Sequence, residues 1–309
     1  MKFNGNVLVT GGAGFIGKEV VKKLQFEGYN VTVIDLKPQP DDLQFVRYIQ
    51  GDIIDISQCL SACENQDYII HLAAKARIPE SFTNPSAYFL NNVVGTQNLL
   101  AAAAAKSIKK VVYASSSSVY GNHPTPNKPY HKPNPLNYYA MTKLFGEHLC
   151  KQFRNLYGLE YTILRLFTVY GDGQPSDDMN GLMIAKFARL AAENLPLTIH
   201  GDGNFRRDFI HVYDVANAFY TAIESKVKNE VFNVGTEQNI SINEVVEILR
   251  QYKPELNISY IPKPKGYASS TLSDTSKTRK LLGWKHKVSP HDGIHLLYFS
   301  IFSNNVVDT

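Results

Sequence analysis

Val7-Leu8-Val9-Thr10-Gly11-Gly12-Ala13-Gly14-Phe15-Ile16-Gly17 joins a β-branched run to a glycine-spaced turn and the start of an amphipathic stretch, residues 14–27. Each glycine has its own task. Gly11 permits the tight turn, Gly14 lets the backbone approach a diphosphate, and Gly17 lets the helix pack closely on the sheet. The helix start then offers unpaired N–H groups and positive partial charge to the phosphates. Asp35 ends the next strand, Val31-Thr32-Val33-Ile34-Asp35, 18 residues beyond Gly17. A carboxylate there accepts from the diol of an adenine ribose and repels a 2′-phosphate, which favours NAD over NADP. Lys37, two residues on, keeps NADP open.

The pattern continues downstream. Tyr68-Ile69-Ile70-His71 reads as a third or fourth strand, residues 91–106 as an alanine-rich helix, and Val111-Val112-Tyr113-Ala114 as another buried strand. Apolar strands alternating with helical stretches imply an α/β fold with a Rossmann-type, doubly wound parallel sheet. Residues 122–135 hold five of the fifteen prolines with His123 and His131, an irregular excursion before a helix over 137–157. A Gly-, Asp- and Pro-rich shift at 171–181 marks the boundary between a nucleotide-binding domain, 1–170, and a smaller, partly interleaved substrate domain, 171–309. Helices are expected there over 182–194 and 242–252. With 309 residues, 44% hydrophobic, and a net charge of +4, the chain shows neither disorder nor a nucleic-acid footprint. Three cysteines suit a reducing compartment rather than a disulfide framework. No 18-residue apolar run occurs, and the opening residues lead straight into the first strand, so a cytoplasmic enzyme is expected. Cys59 and Cys63 have no matching ligand pair elsewhere, so no metal site is expected. His71, at the end of an apolar strand, reads as a core histidine.

Tyr139-Ala140-Met141-Thr142-Lys143 sets a phenol and an ammonium at i and i+4 on one helix face. A nearby cation lowers a phenol's pKa toward the range of a usable base. Upstream, Ser115-Ser116-Ser117-Ser118-Val119-Tyr120-Gly121 follows a parallel strand directly, where α/β sheets place their ligands. Either feature alone is common. Together, in this order behind a dinucleotide loop, they indicate an acid–base centre.

At these residues the sequence resembles the extended short-chain dehydrogenases/reductases, and within them the NAD-dependent nucleotide-sugar epimerases and dehydratases. The marks are residues 10–17, Gly51-Asp52-Ile53, His71-Leu72-Ala73-Ala74, Asn91-Asn92-Val93-Val94-Gly95-Thr96, 115–121, 139–143, 164–171 and Arg207-Asp208-Phe209-Ile210-His211-Val212. The resemblance implies that Phe15 and Ile16 meet the diphosphate and that Asp52 and Ile53 flank adenine. It places Leu72, Ala73 and Ala74 on the nicotinamide side, with Asn92 and Phe167 completing the surround. Ser116 falls at the family's active-site Ser or Thr, Tyr139 at its base, and Lys143 at the residue that holds the nicotinamide ribose.

In the dehydratases of this family the two positions before Val-Tyr-Gly carry acids. Here they are Ser117 and Ser118, and a serine cannot serve as the carboxylic acid that protonates a leaving hydroxyl. What remains is reversible oxidation at a sugar C4, the chemistry of a UDP-hexose 4-epimerase acting on UDP-glucose/galactose or UDP-GlcNAc/GalNAc. For the substrate, the resemblance sets Arg207 against the diphosphate, unless it simply pairs with Asp208, and His200 beside uracil, unless it is simply exposed. The family's Arg-x-Gly-Asp stretch appears as Pro264-Lys265-Gly266-Tyr267, lacking both Arg and Asp, with Lys263 or Lys265 as partial substitutes. Thr271, small, should admit an N-acetyl group.

Phe167-Thr168-Val169-Tyr170-Gly171, which sets Thr168 at the substrate, and Thr271 also resemble the UDP-glucuronate 4-epimerases. Those carry an arginine for the sugar carboxylate, and residues 171–187 here contain none. A neutral sugar is therefore favoured. An NAD(P)H-dependent 4-keto-sugar reductase and a non-catalytic nucleotide-sensing scaffold are the remaining rivals. Helices 86–106 and 137–157 resemble the pair that builds a four-helix bundle between subunits, so a homodimer is expected.

Overall fold

The structure is a computed structural model describing residues 4–175, 183–262 and 265–307. Twelve strands occur among these residues: β1 (Asn6–Thr10), β2 (Asn30–Asp35), β3 (Arg47–Gln50), β4 (Tyr68–His71), β5 (Lys110–Ser116), β6 (Tyr161–Leu166), β7 (Thr168–Tyr170), β8 (Leu197–His200), β9 (Arg206–His211), β10 (Glu230–Val234), β11 (Asn239–Ser241) and β12 (Ile258–Ile261). Seven form one parallel sheet in the order β10-β6-β5-β4-β1-β2-β3. Tyr68–His71 is thus the fourth strand; the third, Arg47–Gln50, lies at an edge.

Neighbouring residues along each strand face opposite ways, so each central strand feeds two cores. Val7 and Val9 of β1, with Val112 and Ala114 of β5, pack with Val20, Val21 and Leu24 of the helix Phe15–Phe26. Phe219 and Ile223 of the helix Val212–Glu224 join them. Leu8, Val111 and Tyr113 point the other way, onto Leu99, Leu100, Ala102 and Ala103 of the helix Gly95–Ala105. Cys59, Cys63 and Cys150 are unpaired thiols inside that second core. A third core fills the C-terminal part with Ile184, Phe187, Phe209, Val245, Leu249 and Leu297. The chain beyond residue 170 still returns β10 to the main sheet, so the two halves interleave.

Three helices are shorter than their sequence patterns. Met183–Ala192, Ile242–Arg250 and Tyr138–Tyr157 replace 182–194, 242–252 and 137–157. Residue 182 lies outside the described residues. The last helix starts late because Asn137 is its cap, the side chain accepting from Ala140 N at 2.8 Å. Residues 91–106 are not one regular helix: a π-helical turn, Leu90–Val94, precedes Gly95–Ala105 and buries both Asn91 and Asn92. No helix of the described residues is long and apolar enough to cross a membrane.

Candidate active site

Strand order reverses between β1 and β4, which lie side by side, and a crevice opens at their carboxyl ends. The glycine turn fills its base. Gly11 (φ +72°) has no room for a side chain: a Cβ would lie 2.7 Å from Ala73 N. At Gly17 it would lie 2.1 Å from Gly11 O. A Cβ at Gly14 would meet only Gly11 O, at 3.2 Å, so that glycine keeps its outer side open. Asp35 ends β2 and accepts from Ala13 N and Lys37 N, each at 3.0 Å, tying the ribose-side carboxylate to the loop. These residues fit a dinucleotide: a backbone cradle without side chains at one end and a fixed carboxylate at the other.

From this cradle a cavity of about 640 Å³ runs toward β9. Its walls include Gly11, Gly14, Phe15, Ile16, Gly17, Leu72, Ala74, Ser116, Tyr139, Lys143, Phe167 and Thr168 from the first half. His200, Arg207 and Thr271 line it from the second. Asp35, Asp52, Ile53, Ala73 and Asn92 stand outside the wall. Asn92 is fully engaged, its amide accepting from Lys75 N at 2.8 Å and donating to Lys75 O and Thr142 Oγ1, each at 2.9 Å. It fixes the bend after β4. Asp52 Oδ1 accepts from Ile54 N at 2.9 Å, and Ile53 is buried.

Ser116, at the end of β5, turns into the cavity and hydrogen-bonds the Tyr139 phenol. Its Oγ also accepts from Ser118 N at 3.1 Å, capping the turn Ser117–Tyr120. Ser115 faces the other way and donates to Glu147 Oε1 at 2.6 Å. Lys143 Nζ donates to Ala114 O at 2.8 Å and lies 5.0 Å from the centre of the Tyr113 ring. Burial brings its pKa down to about 8. Tyr139 is desolvated as well. Its pKa lies above the ordinary phenol value, because burial raises it more than the Ser116 hydrogen bond lowers it.

The His71 expectation matches the geometry: the ring is buried between Thr10 Oγ1 (2.7 Å from Nδ1) and Thr96 Oγ1 (2.9 Å from Nε2). Arg207 does not pair with Asp208. Its guanidinium donates to Arg206 O and Ala268 O, at 2.9 and 2.7 Å, and lies 4.9 Å from the centre of the Phe205 ring. It meets no carboxylate among the described residues. Burial lowers its pKa to about 10. Asp208 is instead a buried scaffold, accepting from Thr236 N and Ser273 N at 2.8 and 2.9 Å. Those bonds, with Asp208 N donating to Thr271 Oγ1 at 3.3 Å, place the Thr271 wall. His200 Nδ1 is buried with no hydrogen-bond partner among the described residues. Lys263 and Pro264 lie outside the described residues. Lys186, Phe205 and Tyr267 also line the cavity, and sequence reasoning missed all three. Tyr267 stands at the Asp position of the altered Arg-x-Gly-Asp stretch, whereas Lys186, on the helix Met183–Ala192, and Phe205 sit in no local motif.

A dinucleotide cradle opening onto a Ser–Tyr–Lys centre defines an enzyme of the short-chain dehydrogenase/reductase type. The model of the NAD dependent epimerase/dehydratase family matches residues 7–235, and the chain belongs to that family. It is 34% identical to the UDP-glucuronate 4-epimerase of Thermodesulfobacterium geofontis, over 94% of each chain. Among solved structures it is similar to the Thermotoga maritima UDP-glucose 4-epimerase with UDP-glucose. That pair has a TM-score of 0.92 at 31% identity, covering 98% of this chain and 99% of the other. It is also similar to the UDP-N-acetylglucosamine 4-epimerase of Methanobrevibacter ruminantium in complex with UDP-N-acetylmuramic acid. There the TM-score is 0.91 at 30% identity, covering 98% and 100%.

Proposed function

We propose that this enzyme is a UDP-sugar 4-epimerase that keeps its NAD through each turnover. The supporting observation is that the cradle, the Ser116–Tyr139–Lys143 group and Arg207 line one continuous cavity, with three cations and no Asp or Glu among its described walls. Such a cavity suits a nucleoside diphosphate carrying a sugar. Tyr139 takes the C4 hydroxyl proton while Ser116 hydrogen-bonds the same oxygen. Lys143 orients the nicotinamide ribose. Bound NAD would supply reversible hydride transfer at the sugar C4, so that no reductant is consumed. Residues 1–170 would carry the cofactor, with Asp35, Asp52, Ile53, Ala73 and Asn92 framing it. The span 171–309 would supply most nucleotide contacts, with His200 against the base and Thr271 beside the sugar 2-substituent.

UDP-glucose/galactose and their N-acetyl forms fit a wall of Thr168 and Thr271. A second reading, UDP-glucuronate, is supported by Lys186, a cation that lines the same cavity from within the stretch 171–187, which contains no arginine. Incubating the purified protein with UDP-glucose, UDP-GlcNAc and UDP-glucuronate separately, without added cofactor, tests both by NMR. C4 epimerisation of a neutral sugar supports the first reading, and conversion of glucuronate alone supports the second. Turnover only with added NAD(P)H would point to a reductase, and no turnover with tight UDP-sugar binding to a sensor.

We also propose a cytoplasmic homodimer. Phe89 and Leu90, with Tyr138, Met141 and Phe145 of Tyr138–Tyr157, expose apolar surface on the two elements expected to build the bundle. Light scattering on the wild type and Phe145→Lys reads this directly.

A further inference from the structure

Residues 266–271 form one wall of the cavity and are tied on both sides. Asn137 Nδ2 donates to Gly266 O at 2.9 Å, and Ser269 N donates to Asn122 Oδ1 at 3.0 Å. Opposite, Arg207 donates to Ala268 O at 2.7 Å, and Thr271 N donates to Arg206 O at 3.2 Å. Gly266 (φ +83°) passes beneath Phe82, where a Cβ would come within 2.6 Å of the ring. That left-handed turn sets the next residue, Tyr267, on the cavity wall beside Arg207. The same Asn137 caps the helix carrying Tyr139, so this wall and the reacting centre share an anchor.

Tyr267 lines the cavity beside a guanidinium that meets no carboxylate, and its hydroxyl makes no hydrogen bond among the described residues. A carboxylate at this position would neutralise part of Arg207 and repel a phosphate. A phenol does neither, and it offers a donor. We infer that Tyr267 is a nucleotide-binding residue whose hydroxyl donates to a phosphate oxygen of a nucleoside diphosphate held against Arg207. The inference rests on the UDP-sugar reading of the cavity. It gives this chain a phosphate grip of one guanidinium and one phenol.

Calorimetric titration of the NAD-loaded protein with UDP tests it, comparing wild type with Tyr267→Phe. A lost hydrogen bond to a charged oxygen should weaken UDP binding about tenfold or more. Bound NAD and the thermal midpoint should not change. Wild type that fails to take up UDP would overturn the UDP-sugar reading and this inference with it. Equal affinity of the two proteins would overturn the role of Tyr267 alone. A variant that loses NAD or midpoint together with UDP affinity would also overturn it, by showing that the phenol only supports the wall.

Discussion

Glu147 and Arg165 meet in a two-bond ion pair, Nε and Nη2 each 2.8 Å from a different carboxylate oxygen, with side chains 0% and 3% exposed. The pair sits directly behind the reacting centre. Glu147 lies one turn beyond Lys143 on the same helix and accepts from Ser115, the neighbour of Ser116. Arg165 lies 4.7 Å from the centre of the Tyr120 ring, whose hydroxyl reaches Asn233 Oδ1 at 2.6 Å. Asn233 in turn donates to Asn127 O at 2.8 Å, across to the excursion before the catalytic helix.

Glu147→Gln should destabilise the protein by about 3–5 kcal/mol, because Arg165 keeps its buried charge and loses the counterion. Glu147→Gln combined with Arg165→Met should recover most of that loss. Urea unfolding of the three proteins measures it, and a double variant as unstable as the single one would sink the argument.

Tyr139→Phe should lower kcat by at least about a hundredfold while leaving bound NAD in place. The base acts as phenolate, so the rate rises with pH through the Tyr139 pKa. Ser116 pulls that pKa down against burial. Ser116→Ala should therefore move the rising limb of kcat/KM to higher pH as well as lowering its plateau. An unmoved limb would mean that Tyr139 does not set it.

Below about pH 6.5, His71 should cost the protein stability. Burial lowers its folded pKa from 6.5 to about 3, so the unfolded chain binds the extra proton first. The contribution is complete above 6.5 and declines by roughly 1.4 kcal/mol per pH unit down to about 3. Replacing the ring with a neutral hydrogen-bonding side chain, His71→Gln, should flatten that slope in urea titrations at pH 7, 6 and 5.

Cofactor released from purified protein by acid should be NAD, with Asp35 excluding the 2′-phosphate. Asp35→Ser should narrow the preference for NAD over NADP about tenfold or more by removing the repulsion. Fluorescence titration with both reduced cofactors would reveal an unchanged ratio if another residue sets the choice.

Thr271→Tyr should cut activity on an N-acetylated UDP-sugar more than on UDP-glucose, since the bulk falls beside the 2-substituent. Parallel kinetics on both substrates give the ratio. Equal losses would put Thr271 away from that substituent.

Much of the site was legible because its signals are local. Glycines three apart after a strand, an acid ending the next strand, and Tyr and Lys one helical turn apart each state short-range geometry. The π-turn at Leu90–Val94 was not legible, since Leu-Asn-Asn-Val-Val leads into an alanine-rich helix without a local stop signal and only packing selects the wider turn. The hydrogen bonds of the Asn92 amide to Lys75 and Thr142 were not legible either, because they join segments far apart in the chain. Lys186 carries no motif, and the stretch holding Tyr267 shows only what it lacks; both reach the cavity from segments far from the glycine loop in the chain.

By itself the sequence determined the doubly wound sheet, the dinucleotide loop and the Ser–Tyr–Lys chemistry, because strand period, turn glycines and helix spacing act over a few residues. Only the tertiary structure turned Ser115 onto Glu147. It decided that Arg207 is held by carbonyls rather than by Asp208. Those outcomes depend on burial and on partners brought together from distant segments, and water excluded by packing is a property that no local pattern of residues encodes.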